Sequence, residues 1–285
     1  MSEFYRVHEI MPGVYRINSD EQVFMELFVG SDKALLYDTG FGFGDLKKAV
    51  REITNLPLII VNSHSHMDHT GGNYQFEEDC FIHPLEIEVC KSHNSEDMRK
   101  NSIEVGKKTQ DYITGQFKNI LPESFAEAEY IKGGTGNLVS LQEDHIFDLG
   151  GIKLKTVLLP GHTPGGIGLL YTEEKILYVG DAINPFVWMF MPEALKLSDY
   201  ISTIKKAMDI DFSKFYMAHN PVEGNQSMLE IFLDCAENID YEKGFPFQSP
   251  LARGLDARIC TREGYTPNDI MKPGFASVVL SPEHL

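Results

Sequence analysis

The sequence predicts an α+β fold: two β-rich halves, each running strands first and helices after, with the helices outside. Three observations carry this. Short alternating apolar runs fill residues 14–37 and again 145–179, helix-period runs follow each set, and Pro57–Asn62 (PLIIVN) is a continuous apolar run, the pattern of a strand covered on both faces.

In the first half, Val14–Ile17, Val23–Val29 and Lys33–Tyr37 read as strands. Pro12-Gly13, Ser19-Asp20 and Gly30-Ser31-Asp32 separate them as turns. A helix near Asp45–Ile53 places Leu46, Val50 and Ile53 on one face. A short strand, Cys80–Ile82, precedes His83-Pro84. In the second half, His145–Leu149, Ile152–Leu159, Ile167–Tyr171 and Lys175–Val179 read as strands, and Phe215–Ala218 as a short later one. Ser198 is read as the N-cap of a helix over Asp199–Met208 with Ile201, Ile204 and Met208 inward, and Ser227–Ile239 as a further helix. The expected organisation is a single domain over residues 1–285, with a mostly helical insertion at about 85–130 and an irregular tail at about 241–285.

Among 285 residues, 25 Lys and Arg stand against 42 Asp and Glu, a formal net charge of −17. No basic run interrupts this, so neither nucleic acid nor an anionic membrane is an expected partner. Cys80, Cys90, Cys235 and Cys260 form no C-x-x-C pair and are read as reduced thiols. The opening MSEFYRVHEI has neither the basic nor the apolar region of a secretion signal. No apolar stretch approaches the roughly 20 residues that span a bilayer. The expected location is the cytoplasm.

The segment that carries chemistry is Asn62–Asn73, NSHSHMDHTGGN. Three histidines and an aspartate fall within six residues, His64, His66, Asp68 and His69, in a loop read directly after the buried strand. Imidazole and carboxylate suit zinc, iron, nickel or manganese. Gly71-Gly72 is read as the sharp turn that follows. Four donors in one loop close a single tetrahedral site with difficulty, whereas two metals, each completed from elsewhere, is sterically simpler. Candidates for completion stand after other apolar strands: His162 in PGHTPGG, Asp181 in GDA, and His219 after FYMA. His8, His93, His145 and His284 have no such pattern and read as packing or surface residues, as does His83 after its strand.

Together with Asp38-Thr39-Gly40, these motifs, in this order, resemble the metallo-β-lactamase superfamily over roughly residues 10–235. The resemblance implies an αββα sandwich, two mixed β-sheets with helices on both outer faces. It implies two divalent metal ions, zinc first with iron or manganese as alternatives. His64, His66 and His162 would hold one ion, Asp68, His69 and His219 the other, with Asp181 bridging and Asp38 orienting the histidine loop. It further implies a metal-bridging hydroxide as nucleophile, since bound metal lowers the pKa of water toward about 7. Asp68 or Asp181 would shuttle the proton, and Asn184 would donate to a developing oxyanion.

Departures narrow the subclass. His66 stands where flavodiiron members carry Glu, and Asp181 stands where β-lactamases commonly carry Cys or Ser. A glyoxalase II-like or lactonase-like hydrolase of a small ester, thioester or lactone remains. A phosphodiesterase on the same site, a metal-dependent redox member and a non-catalytic binding member are the alternatives. Asn184 replaces the Tyr that one type of lactonase has three residues after the bridging Asp. Glyoxalase II binds glutathione through basic residues in its C-terminal part, and that resemblance makes Arg253, Arg258 and Arg262 of the tail candidates for such a contact; Asn184–Pro192, with the one Trp, is read as a pocket wall for an apolar substrate part. A homo-oligomer is left open.

Overall fold

The architecture starts from two parallel neighbours, Ala34–Tyr37 and Leu58–Val61, whose register pairs Tyr37 with Val61. In this computed structural model, which describes residues 4–110, 115–249 and 254–285, the chain divides into two compact units, Met1–Lys153 and Leu154–Leu285.

The first unit contains β1 (Arg6–Met11), β2 (Val14–Asn18), β3 (Phe24–Val29), β4 (Ala34–Tyr37), α1 (Leu46–Ile53), β5 (Leu58–Val61), α2 (Met67–Thr70) and β6 (Asp79–Ile82). It continues through α3 (Ile87–His93), α4 (Glu96–Gly106), β7 (Thr109–Gln110), β8 (Phe117–Lys118), α5 (Glu127–Lys132), β9 (Asn137–Ser140) and β10 (Ile146–Asp148). Its main sheet runs β1-β2-β3-β4-β5-β6-β9. The meander β1 to β4 is antiparallel, and β4, β5, β6 and β9 are parallel. Asp45 starts α1, its carboxylate accepting from the Lys48 N–H at 2.9 Å. That helix buries Leu46, Ala49 and Val50 on a core that includes Ile17, Leu27, Leu36 and Ile60.

The second unit contains β11 (Lys153–Leu158), β12 (Ile167–Tyr171), β13 (Ile176–Tyr178), β14 (Phe186–Met189), α6 (Leu197–Met208), β15 (Lys214–Tyr216), α7 (Gln226–Glu237), β16 (Phe245–Phe247), β17 (Ala257–Thr261) and β18 (Ser277–Leu280). Strands β11-β12-β13-β15 lie in that order, with the last pair parallel. Helices α6 and α7 supply Tyr200, Ile204, Leu229 and Phe232 to the core of this unit.

Four local readings are corrected. Lys196, not Ser198, caps α6, and the Asp199 carboxylate takes the Lys196 N–H at 3.2 Å. The run MDHT is a helical turn, not open loop, because the His69 and Thr70 N–H groups both reach the His66 carbonyl at 3.0 Å. Gly71 and Gly72 have ordinary φ values of −61° and −85°. They are needed for space instead: a Cβ would lie 2.4 Å from the Phe41 carbonyl oxygen at Gly71 and 2.3 Å from that of Thr39 at Gly72. The tail is not irregular. Strands β16, β17 and β18 join β14 in a second sheet, order β14-β18-β17-β16, and the tail's Val278 and Leu280 enter the core of the unit. Period-2 patterning over four or five residues is too short to announce strands between Pro- and Gly-rich turns.

The insertion is mostly helical over its described residues, through α3, α4 and α5. All four cysteines are buried and free. Among the described residues, no helix is long and apolar enough to cross a membrane.

Leu280 is fully buried. The Leu280→Ala variant is expected to lose about 2–5 kcal/mol of stability in urea denaturation. A loss below about 0.5 kcal/mol, the range of a surface change, would show that the tail does not contribute to the core.

Candidate metal centre

In the first unit the donors collect around Asp38. The parallel register brings the ends of β4 and β5 together, so Asp38, one residue past Tyr37, faces Ser63, two residues past Val61. Asp38 sits at φ +65°, a conformation that costs an L-residue energy and is kept where surrounding bonds enforce it. Its N–H bonds the Val61 carbonyl at 2.9 Å, and the next N–H, of Thr39, bonds the His69 carbonyl at 2.9 Å. Asn62 and Asn73 pair through their amides at 2.8 Å, and Thr39 Oγ1 donates to Asn73 Oδ1 at 2.8 Å.

The Asp38 carboxylate accepts the Ser63 N–H at Oδ1 and the Ser63 hydroxyl and His69 Nδ1 at Oδ2, each at 2.7 Å. These partners assign the tautomers. His69 carries its proton on Nδ1, toward Asp38. Ser63 gives its own proton to Asp38, so its oxygen accepts from His64 Nδ1 at 2.9 Å. In both rings Nε2 is then the nitrogen that could hold a metal. The His64 ring centroid lies 4.6 Å from that of His66 and 4.1 Å from that of His69, and His69 Nε2 lies 3.7 Å from Asp68 Oδ2. His64, His66 and His69 are buried, while Asp68 is partly open.

In the second unit, the register of β13 against β15 does the positioning. Tyr178 pairs with Tyr216, so Asp181 and His219, each three residues further on, come level. His219 Nε2 is 3.3 Å from Asp181 Oδ2, and His162 Nε2 is 3.9 Å from the same oxygen. One carboxylate oxygen therefore stands between two imidazoles. His162 is aimed by its other nitrogen: Nδ1 donates to the Trp188 carbonyl at 2.6 Å. Its loop is anchored on α6, where Thr203 Oγ1 donates to the Pro160 carbonyl. Gly161, at φ +143°, brings this loop so close to α6 that a Cβ would lie 3.1 Å from Tyr200 Cα. His162 is buried and His219 exposed.

Each sequence candidate thus follows a strand, Asp68 and His69 on the helical turn α2, with four grouped in the first unit and three in the second. Among the described residues, those that could hold metal ions include His64, His66, Asp68 and His69 in the one and His162, Asp181 and His219 in the other, with His93 and Glu193 as further donors that the sequence did not single out. The donor set is imidazole and carboxylate only, and three of the five histidines have Nδ1 engaged by an oxygen, which is how proteins present Nε2 to a metal. The residues fit the group.

Asn184 serves locally. Its Nδ2 donates to the Asp181 carbonyl at 3.1 Å and its Oδ1 accepts the Phe186 N–H at 2.8 Å, which braces the turn that carries Asp181. Arg258 donates to the Glu242 carbonyl at 2.8 Å within the tail, and Arg262 pairs with Asp234 of α7 at 2.9 Å, so both are engaged in packing contacts. Arg253 lies outside the described residues. The apolar run after Asp181 is strand β14: Val187 and Met189 are core, while Phe186 and Trp188 pack with Phe190 and Phe247 in a partly buried aromatic group. Phe247, from the tail, was not among the sequence candidates. Nor was His93, read as scattered, whose ring stacks on His66 at 4.9 Å and 21°. Spacing in the sequence holds no signal for either.

The model of the metallo-β-lactamase superfamily matches residues 20–219. The chain belongs to that superfamily. Its mixed sheets and helices are the α+β metallo-β-lactamase fold. A metallo-β-lactamase from Pontibacter korlensis matches over 82% of this chain and 99% of its own, at TM-score 0.56 and 19% identity. Among curated relatives, the human acyl-coenzyme A thioesterase MBLAC2 is 24% identical over 227 residues, 73% of this chain and 77% of that protein. The hydroxyacylglutathione hydrolase GloC of Haemophilus influenzae is 24% identical over 153 residues, 53% of this chain and 61% of that protein.

Two predictions test the first-unit group. The Asp38→Asn variant cannot accept from Ser63 and His69 with a full charge, and zinc affinity is expected to fall about 10–100-fold by chelator competition. Unchanged affinity would mean that Asp38 does not orient these rings. Glu21, buried beside the Phe43 N–H at 3.1 Å, has its carboxyl pushed up by burial to about 7 from 4.5. The folded chain keeps a proton there that the unfolded chain releases, so this contribution to stability is complete below about pH 4.5 and is lost as pH rises through about 7. In urea unfolding of metal-free protein from pH 5 to 8, Glu21→Gln should show a flatter decline than wild type. Parallel curves would contradict the assignment.

Proposed function

We propose that this chain is a cytoplasmic, binuclear zinc hydrolase of a small thioester, ester or lactone. His64, His66 and His162 would ligate one ion, Asp68, His69 and His219 the other, with Asp181 shared. The observation that carries the reading is the Asp181 carboxylate oxygen between the imidazoles of His162 and His219. A carboxylate there favours two ions over one and separates the chain from members with Cys or Ser at that place. Four buried free thiols suit a reducing compartment. The two units would act as a single domain.

The bound metal pair would supply a water acidified to near-neutral pH and a Lewis acid for the carbonyl oxygen. The chain's residues do the rest. Asp38 and the Trp188 carbonyl hold rings at fixed angles, so no reorganisation is needed when charge develops. Asp68 is partly exposed, which suits it to pass a proton to the leaving group. Asn184 acts through Asp181, whose turn it braces. The partly buried Phe186, Trp188 and Phe247 support a substrate with an apolar part, since Trp188 offers its carbonyl to His162 while its ring joins that group. Relatives named a thioesterase and a hydroxyacylglutathione hydrolase support an acyl substrate.

The test is a substrate panel of acyl thioesters, esters, lactones and phosphodiesters on zinc-loaded protein, with metal content measured in parallel. The expected result is turnover of carboxyl substrates, with nearly all of it lost in His66→Ala together with metal from one site, and both ions weakened in Asp181→Asn. Turnover confined to phosphodiesters would overturn the substrate class. Full activity in His66→Ala would overturn the mechanism.

A further inference from the structure

The helical insertion grips the histidine loop from behind at three points, and none of the gripping residues is a proposed ligand. Glu86, fully buried, accepts the Ser65 N–H on Oε2 at 3.0 Å. Ser65 is the residue between His64 and His66, so this bond fixes the peptide joining two ligands. Thr70 closes the other end: its hydroxyl donates to the His66 carbonyl at 3.0 Å and accepts from Asn94 Nδ2 at 2.8 Å. Asn94 Oδ1 in turn accepts from the Arg99 guanidinium at 2.8 Å. Arg99, also fully buried, donates to the Gly71 carbonyl at 3.0 Å, where the helical turn of Asp68 and His69 ends, and to the carbonyls of Tyr130 and Gly134 at 3.1 and 2.6 Å.

These residues are costly places for charge. Burying a guanidinium or a carboxylate carries a desolvation penalty that an apolar side chain of similar size avoids, so such a network gains the chain little stability. What it supplies is one geometry. Each end of the loop is bonded to α3, α4 or the turn before them, and each bond is buried and directional. Arg99 falls on α4 at the period of Ser102, Ile103 and Gly106, the face that packs inward, so its charge meets carbonyls and the Tyr74 and Tyr130 rings inside the unit.

We infer that residues 83–99 form a clamp on the metal loop, with Glu86, Asn94 and Arg99 as positioning residues that set how tightly the loop's histidines hold metal. The inference rests on the reading of His64, His66, Asp68 and His69 as ligands. It assigns the insertion a role behind the ligands, apart from any role as a cover over substrate.

The test measures zinc affinity by competition with a chromogenic chelator, and thermal midpoints of apo and zinc-loaded protein, in Asn94→Ala, Glu86→Ala and Glu86→Gln. Asn94→Ala and Glu86→Ala should bind zinc about 10–100-fold more weakly, the usual effect of removing an outer partner of a ligand. The gap between loaded and apo midpoints should shrink accordingly. Glu86→Gln, whose amide oxygen still accepts from Ser65, should recover most of the affinity. Lower midpoints with wild-type zinc affinity would overturn the clamp and leave these residues merely structural. Should Glu86→Ala fail to fold, Asn94→Ala decides the same question, since it leaves the Glu86 bond to Ser65 intact. Wild-type protein that binds no zinc would instead overturn the ligand assignment itself.

Discussion

The Asp38 carboxylate is the constraint on which the first unit's chemistry depends. It stands at the end of a central strand in a left-handed backbone conformation and accepts three hydrogen bonds, all from the neighbouring strand's continuation. Through those bonds one carboxylate sets the path of the chain after β5, the tautomer of His69 and, by way of Ser63, the tautomer of His64. A strained residue persists only when its surroundings over-determine it. Here the paired Asn62 and Asn73, the Thr39 bonds and the close approach of Gly71 and Gly72 provide that surrounding.

The second unit solves the same problem by register. Parallel pairing of β13 with β15 places residues at equal offsets side by side, so Asp181 meets His219 without long-range tuning. His162 arrives on a loop whose backbone is tied to α6 and whose ring is aimed by the carbonyl of β14. That carbonyl is held in place because β14 pairs with β18, a strand from the last few residues of the chain. The tail is therefore coupled to the orientation of a proposed ligand through one strand pair.

Much of the fold was legible. The strands from Val14 to Val61 and from Lys153 to Tyr178 follow apolar runs bounded by Gly, Pro, Asn and Asp, and α1, α6 and α7 follow a 3.6 period. The tail strands were not legible. Phe245–Phe247 contains a Pro, Ala257–Thr261 an Arg, and their burial comes from neighbours distant in sequence. The insertion was legible as helical but not in what it does. Glu86, Asn94 and Arg99 look like ordinary helix-surface residues until the partners from Ser65, Thr70 and Gly71 are seen.

The sequence by itself determined the family and the α+β class and singled out the seven candidate donors, because a cluster such as HSHMDH after an apolar run, with PGHTPG, GDA and a late His in order, is a pattern of residue types that follow strands, and such patterns are readable locally. Tertiary structure alone decided which nitrogen each aimed ring turns outward, that Asp181 stands between two imidazoles, that Asn184 braces a turn and that the tail builds a sheet. Those outcomes depend on hydrogen-bond directions and strand register between segments far apart in the chain, and no one-dimensional spacing encodes either.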